Sequence, residues 1–142
     1  MNPLVKLLLK ESSIHHFGCY TEIFIPEGSF IIEYAGEKIS ADEAIRRERD
    51  ETRGGIYTFW LSDEWVIDGY SNGNESKYIN HSCTPNCGYE ITNDKIFIFA
   101  LRNIHPGEEL TIDYYYDANS ELVPCLCSSE ECRGFINTIE EF

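Results

Sequence analysis

Short runs of apolar and β-branched residues, separated by turn residues, recur along the whole chain. Such runs are typical of strands when Gly, Pro, Asn or Asp bounds them. We predict strands at 5–9, 19–24, 30–34, 56–61, 65–67, 88–91, 95–101 and 109–112. Asn93-Asp94 lies between two of these strands and predicts a hairpin turn. The pattern therefore indicates a mostly β domain of small packed sheets.

One segment has a helical pattern instead. Ser40 and Glu43 form a capping box, and residues 41 to about 51 are mostly good helix formers. Gly54-Gly55 follows and would end the helix. We therefore predict one clear helix among many short strands.

Composition and charge narrow the range of protein classes to which the chain could belong. The 142 residues, 42% of them hydrophobic, fit one domain with an ordinary core. No apolar run approaches the ~20 residues of a membrane span, and residues 4–9 are too short for a signal peptide. We expect an intracellular protein, nuclear or cytoplasmic, with no membrane association. The net charge of −14 disfavours nucleic acid and favours basic partners, although acidity also serves solubility.

Cysteines indicate a metal site near the end of the chain. The C-x-C-x4-C pattern there comprises Cys125, Cys127 and Cys132. Three neighbouring thiolates cannot all pair with one another, and structural zinc takes a fourth N or S ligand. Cys83 and Cys87 are the candidates for it, with His81 as the alternative. We predict one structural zinc, rather than free or disulfide-bonded cysteines, and a tail that folds back over the body.

Three ordered stretches resemble the signature of the SET-domain protein lysine methyltransferases with a post-SET zinc tail. They are K-Y-I-N-H-S-C-T-P-N-C at 77–87, G-E-E-L-T-I-D-Y at 107–114 and C-R-G-F at 132–135. The segments 33–37 and 67–74 also fit that family. Each short motif alone would be weak, but the ordered set is specific and covers roughly residues 7 to 136.

The resemblance implies a fold and an activity. The fold would be several small curved sheets with a pseudoknot-like crossing of the Asn-His and Asp-Tyr segments. The SET domain would occupy 1–118 and the zinc-binding post-SET tail 119–142. The activity would be methyl transfer from S-adenosylmethionine to a lysine of a protein or peptide, such as a histone tail. Cofactor and lysine would enter from opposite faces and meet in a narrow channel.

Carried over by position, the resemblance also implies site residues. The cofactor would contact Phe17, Gly18, Tyr57, Lys77, Asn80, His81 and Phe135. Asn80 would hold its amino-acid end, and the His81 backbone its adenine. Two positions depart from the family pattern: Lys77 stands where Arg is usual, and His16 where the cofactor loop usually has its first Gly.

The same resemblance assigns the reacting end of the site. Tyr114 would orient the attacking amine, with Tyr57 and Tyr34 as channel tyrosines. Ile112 stands where the family usually has Phe or Tyr, and it cannot anchor the water that restricts transfer to one methyl. This implies di- or trimethylation. Cys83 would complete the zinc site with the tail cysteines.

Two other functions fit parts of the sequence. The chain could be a zinc-stabilised, SET-like interaction module whose cofactor binding is lost or weak. It could also methylate a free amino acid or small amine. Packing of an aromatic strand end on a core is the less favoured alternative for Tyr114, but it is the favoured interpretation for Tyr115 and Tyr116. The alternative for the Asn80-His81 segment is a turn rich in local hydrogen bonds.

Overall fold

The fold is built from small sheets. A computed structural model describes residues 7–12, 17–50, 52 and 57–113. The strands are β1 (Leu7–Glu11), β2 (Phe17–Thr21), β3 (Phe30–Glu33), β4 (Glu37–Ser40), β5 (Thr58–Trp60), β6 (Trp65–Asp68), β7 (Asn80–His81), β8 (Cys87–Thr92), β9 (Lys95–Ala100) and β10 (Thr111–Ile112). The helices are α1 (Ala41–Glu48) and a short 3₁₀ helix (Glu75–Tyr78). Over the described residues, the predicted mostly β class with several small sheets and one α-helix is confirmed.

Four sheets share one main core. Antiparallel β1 and β2 form one sheet, while β3-β9-β8 and β4-β6-β5 form two three-stranded sheets. The fourth sheet pairs β7 with β10 in parallel. Isoleucines from several strands fill the core between them, among them Ile31, Ile96, Ile98 and Ile112. None of the helices in the described part of the chain has the length and apolar character needed to cross a membrane.

Local sequence signals are confirmed where they are strong. Ser40 Oγ accepts from the Glu43 amide at 3.2 Å, so the predicted cap begins α1. The helix ends at Glu48, earlier than predicted, and its last turn tightens: the Asp50 amide donates to the Arg47 carbonyl at 3.2 Å, three residues back. Asn93 and Asp94 have φ of 52° and 62°, the left-handed values that a tight hairpin turn requires.

Several strand boundaries differ from the prediction. The second strand is Phe17–Thr21 rather than 19–24, and the last is only Thr111–Ile112. Strands β4 and β7 were not predicted, because neither has an alternating apolar pattern of useful length. Both form through partners distant in sequence, β6 for the first and β10 for the second.

An ion network around the buried Asp68 carboxylate fixes α1 on its sheet. The Arg47 guanidinium donates to Glu37 at 2.9 Å, to Asp68 at 3.0 Å and to Glu43 at 2.7 Å. Asp68 is fully buried at the end of β6, so Arg47 neutralises a carboxylate that would otherwise be costly to bury. Two charges on α1 and two on the sheet thereby hold the helix against β4 and β6.

The parallel pair of β7 and β10 is the element that builds the site. Asn80 lies opposite Thr111 and His81 opposite Ile112. Buried Asn86 extends this pairing with its side chain: its Nδ2 donates to the Glu109 carbonyl at 2.8 Å, and its Oδ1 accepts from the Thr111 amide at 2.9 Å. The two segments expected to cross therefore lie side by side among the described residues.

The double hydrogen bond of Asn86 leads to a stability prediction. Asn86→Asp removes the donor and places an acceptor against the Glu109 carbonyl, so it should lower the free energy of unfolding by about 3 kcal/mol. Asn93→Asp makes the same chemical change in an exposed turn and should cost less than about 0.5 kcal/mol. Urea denaturation of both variants measures the difference, and equal small losses would contradict the structural role of Asn86.

Candidate active site

Asn80 lies at the centre of a buried polar group. Its side chain is only 6% exposed. The Asn80 Nδ2 donates to the Phe17 carbonyl at 2.9 Å and to Glu109 Oε2 at 2.8 Å. Two residues predicted for the cofactor, Phe17 and Asn80, are thus directly joined across β2 and β7.

Gly18 leaves room for the Glu109 carboxylate beside β2. A β-carbon at this position would collide with the Glu109 carboxylate and would lie 3.2 Å from Asn80 Nδ2. Among the described glycines, only Gly28 and Gly107 have a positive φ. The close approach of the Glu109 carboxylate, and not a positive φ, therefore explains why residue 18 is a glycine.

An aromatic cluster surrounds Tyr57. The centroids of the Tyr70 and Tyr78 rings lie 6.1 and 6.2 Å from that of Tyr57. The Lys77 ammonium lies over the faces of Tyr57, at 5.5 Å, and Tyr78, at 5.2 Å. Burial, followed by the neighbouring Tyr78 and Tyr70, raises the pKa of Tyr57, so its hydroxyl stays protonated at neutral pH. Tyr78 also contacts half-exposed Phe17, with ring centroids 6.4 Å apart.

Tyr34 is held against the backbone of Tyr57. Its hydroxyl donates to the Tyr57 carbonyl at 2.6 Å, and its ring packs on Phe59 with centroids 5.1 Å apart. The Gly69 amide donates to the same carbonyl at 2.9 Å. Tyr34 and Tyr57 are therefore neighbours, and Tyr34 fixes the course of the chain at Tyr57.

His81 connects the site to one candidate zinc ligand. Its ring is 3% exposed, with Nε2 3.4 Å from Cys83 Sγ and Nδ1 3.6 Å from Asp113 Oδ1. Cys83 is partly exposed, whereas Cys87 is buried in the main core, where burial raises the pKa of its thiol to about 12. Within the part of the chain that the structure describes, no group of three or more His, Cys, Asp and Glu residues could hold a metal ion.

Ile112 lies in β10 beside His81. Its side chain is 1% exposed and belongs to the main core. Several other predicted site residues lie outside the described residues: Tyr114, Phe135, Cys125, Cys127 and Cys132.

Sequence reasoning missed the residues that join the predicted ones. Glu109 links Asn80 to the surroundings of Phe17, and Tyr78 links Lys77, Tyr57 and Phe17. Asn86 pairs the two motif segments. All three were inside the quoted motifs, yet a motif letter does not say which neighbour a side chain will meet.

The Asn80-His81 strand pairs in parallel with the strand before Asp113-Tyr114, within a body of small sheets. The resemblance implied that these two segments lie together in such a body. The chain belongs to the SET-domain family, whose model matches residues 16–115.

Similar proteins of known name and structure support this assignment. The chain is 42% identical over 136 residues to the histone-lysine N-methyltransferase, H3 lysine-4 specific, of Emericella nidulans, covering 89% of this chain and 11% of that protein. It is 43% identical over 132 residues to the histone-lysine N-methyltransferase trithorax of Drosophila virilis, covering 89% of this chain and 3% of the relative. The chain thus spans only a small part of the relatives' length.

Solved structures of Polycomb Repressive Complex 2 share the fold. The complex from Chaetomium thermophilum bound to GSK126 is 35% identical, with a TM-score of 0.67, over 75% of this chain and 15% of the other. A second structure, ctPRC2 in an autoinhibited conformation bound to S-adenosylmethionine, is 36% identical with a TM-score of 0.67 and the same coverage.

The contact between Tyr34 and Tyr57 can be tested by removing one hydroxyl. Tyr34→Phe should lower the free energy of unfolding by about 1 kcal/mol, because it removes a short hydrogen bond while the Tyr57 carbonyl keeps the Gly69 amide. Tyr89→Phe is the matched control. Its ring packs on the same Phe59 at 4.8 Å, and its removal of a hydroxyl should cost less than about 0.5 kcal/mol. Equal losses in chemical denaturation would show that the Tyr34 hydroxyl does not stabilise this region.

Proposed function

We propose that this chain is an S-adenosylmethionine-dependent protein-lysine N-methyltransferase that acts on a histone tail, with lysine 4 of histone H3 as the first candidate. The observation that carries the proposal is the buried Asn80-His81 strand, paired with the strand before Asp113-Tyr114, in a SET-domain chain. The names of its relatives, which are histone H3 lysine-4 and trithorax methyltransferases, support the choice of substrate. We further propose that it works in the nucleus, where histones are.

The described residues are suited to the amino-acid end of the cofactor. Asn80 and the Phe17 carbonyl bring polar acceptors together, and Gly18 leaves the backbone beside them without a side chain. We assign Asn80 to the cofactor's ammonium, the His81 backbone to its adenine, and Phe17, Tyr57, Lys77 and Phe135 to its remaining contacts. When bound, S-adenosylmethionine supplies a methyl group on a sulfonium.

The chain's part in the chemistry is to accept a neutral amine and align it. A free lysine has a pKa of ~10.4, and aromatic surroundings favour its neutral form by desolvation. The positive charge of a bound sulfonium would disfavour the ammonium as well, and the proton can leave through water. Tyr114 would orient the amine for in-line attack, while Tyr34 keeps Tyr57 in place.

We propose that more than one methyl is added. Ile112 has no hydroxyl and is buried in the core, so it cannot hold a water that would crowd a methylated amine. Another tyrosine, such as Tyr57, could hold that water instead, and the number of methyl groups on the product distinguishes the two cases.

We also propose a domain at 1–118 and a post-SET tail at 119–142 that binds one structural zinc. The ligands would be Cys83, Cys125, Cys127 and Cys132. Cys83 is favoured because it is partly exposed beside the buried His81, whereas Cys87 lies inside the core. Zinc would stabilise the closure of the tail over the body.

The net charge of −14 supports a basic protein substrate. Long-range attraction would raise the rate at which a lysine-rich tail meets the site, and the same field would repel nucleic acid. We therefore propose a protein or peptide partner and no direct binding to nucleic acid.

The proposed activity is tested with an H3 amino-terminal peptide and S-adenosylmethionine, followed by mass spectrometry of the peptide. We expect two or three methyl groups on lysine 4 at long times. Tyr114→Phe should lower kcat about a hundredfold while the Kd for the cofactor changes less than about twofold, because the hydroxyl acts mainly in the transition state.

Tyr116→Phe is the matched control and should retain normal turnover, since that tyrosine is expected only to pack. Near-normal turnover of Tyr114→Phe would contradict the role of Tyr114. A product with one methyl would contradict the role given to Ile112. If calorimetry detects no binding of S-adenosylmethionine, the proposed enzyme activity is contradicted and the zinc-stabilised interaction module is favoured instead.

Zinc is tested separately by elemental analysis of the purified chain. We expect one zinc per chain, lost in Cys83→Ser because a serine hydroxyl is a poor zinc ligand. Cys87→Ser should keep the metal and instead lower stability, since it places a hydroxyl in the apolar core. Zinc loss in Cys87→Ser with retention in Cys83→Ser would reverse the assignment.

A further inference from the structure

Glu109 is a carboxylate to which the expected cofactor site gives no role, although it lies against Asn80. Its Oε2 accepts from Asn80 Nδ2 at 2.8 Å. The Ser12 hydroxyl donates to its two oxygens, at 2.8 and 2.9 Å, and the Tyr20 hydroxyl lies 3.2 Å from Oε1. Side chains from the end of β1, from β2 and from β7 therefore hold the carboxylate in one place.

We propose that Glu109 is a positioning residue that fixes the direction in which the Asn80 side-chain amide faces, and so presents Asn80 Oδ1 to the α-ammonium of the cofactor. The inference rests on the proposed function, because it takes Asn80 as the contact for that ammonium. An ammonium has only donors, so it needs the oxygen of the amide and would be repelled by its NH₂ group.

The geometry shows why the carboxylate selects one orientation. The two ends of an asparagine amide have nearly the same shape, so packing alone does not distinguish them. Asn80 Nδ2 donates to Glu109 Oε2 and to the Phe17 carbonyl, and the Ser12 hydroxyl oxygen is a third, longer acceptor at 3.3 Å. A flipped amide would place Oδ1 against both the carboxylate and the carbonyl. An ionised carboxylate cannot donate in return, so the flip is disfavoured from two sides.

The approach of β2 supports the same assignment. The Gly18 backbone passes so close to the Glu109 carboxylate that any β-carbon there would displace it. The chain thus keeps the carboxylate and the Phe17 carbonyl both within hydrogen-bond distance of Asn80 Nδ2. The negative charge also lies near the place where the ammonium would bind, and it adds attraction at short range.

The experiment compares two ligands on the whole chain by calorimetry. One is S-adenosylhomocysteine, and the other is the same molecule without its α-amino group. Glu109→Gln keeps the size of the side chain but offers a donor to a flipped amide, so that only the Phe17 carbonyl still opposes the flip, and the Kd for S-adenosylhomocysteine should rise about tenfold. The Kd for the analogue should change less than about twofold, because it has no ammonium to orient.

Two variants serve as controls. Glu109→Asp keeps an acceptor-only group and should bind S-adenosylhomocysteine more tightly than Glu109→Gln. Glu108→Gln makes the same change one residue earlier, on a side chain that pairs with Arg102 at an exposed turn, and should alter neither Kd. Equal loss of both ligands in Glu109→Gln would indicate a structural role and overturn the inference, as would no loss of either.

If circular dichroism shows that Glu109→Gln does not fold, Ser12→Ala replaces it. That variant removes one donor to the carboxylate and also the 3.3 Å acceptor of Asn80 Nδ2. It should raise the Kd for S-adenosylhomocysteine about threefold and leave the Kd for the analogue unchanged. Absence of this selectivity overturns the inference. A wild-type chain that binds no S-adenosylhomocysteine overturns the proposed function as well, whereas a wild-type chain that binds it without selective loss in the variants overturns only the role of Glu109.

Discussion

The structure depends on a parallel pairing between two very short strands. β7 and β10 offer few backbone hydrogen bonds of their own, and parallel pairs are slightly less stable per residue than antiparallel ones. Asn86 compensates by bonding a carbonyl and an amide of the second segment with one side chain. These two hydrogen bonds of Asn86 help to bring Asn80, His81 and Glu109 to one place, so the candidate site depends on them.

The aromatic part of the site has a different basis. Tyr57 and Tyr70 come from separate loops and Tyr78 from the 3₁₀ helix. The Tyr70 ring contacts Tyr57 in a tilted arrangement and the Tyr78 ring contacts it edge to face. Lys77 covers two of these faces with its ammonium. A guanidinium, which the family usually has there, would stack as a plane and bind in a fork, whereas the ammonium acts as a compact charge. The substitution therefore keeps the cation and loses the directionality.

Sequence predicted what depends on neighbours along the chain. The Ser40 cap of α1 and the Asn93-Asp94 turn were correct because each is decided by a few adjacent residues. Strand β7 was not found, because nothing in its two residues indicates pairing with β10. The quoted motifs contained Asn80, but they did not indicate its hydrogen bonds to the Phe17 carbonyl and to Glu109, because these bonds join segments distant in sequence. The roles of Tyr114 and the tail cysteines rest on resemblance alone.

The pairing of β7 with β10 and the hydrogen bonds of Asn86 also have a consequence for the order in which the chain folds. Residues 80 and 111 are distant in sequence, and closing such a loop costs chain entropy before any contact is gained. The β8–β9 hairpin lies between them, and its tight turn forms from local contacts. Once formed, that hairpin brings residue 86 beside residue 101 and so shortens the loop that remains to be closed between residues 80 and 111. Chain entropy therefore favours a sequence of events in which the hairpin assembles first and the binding site is completed late.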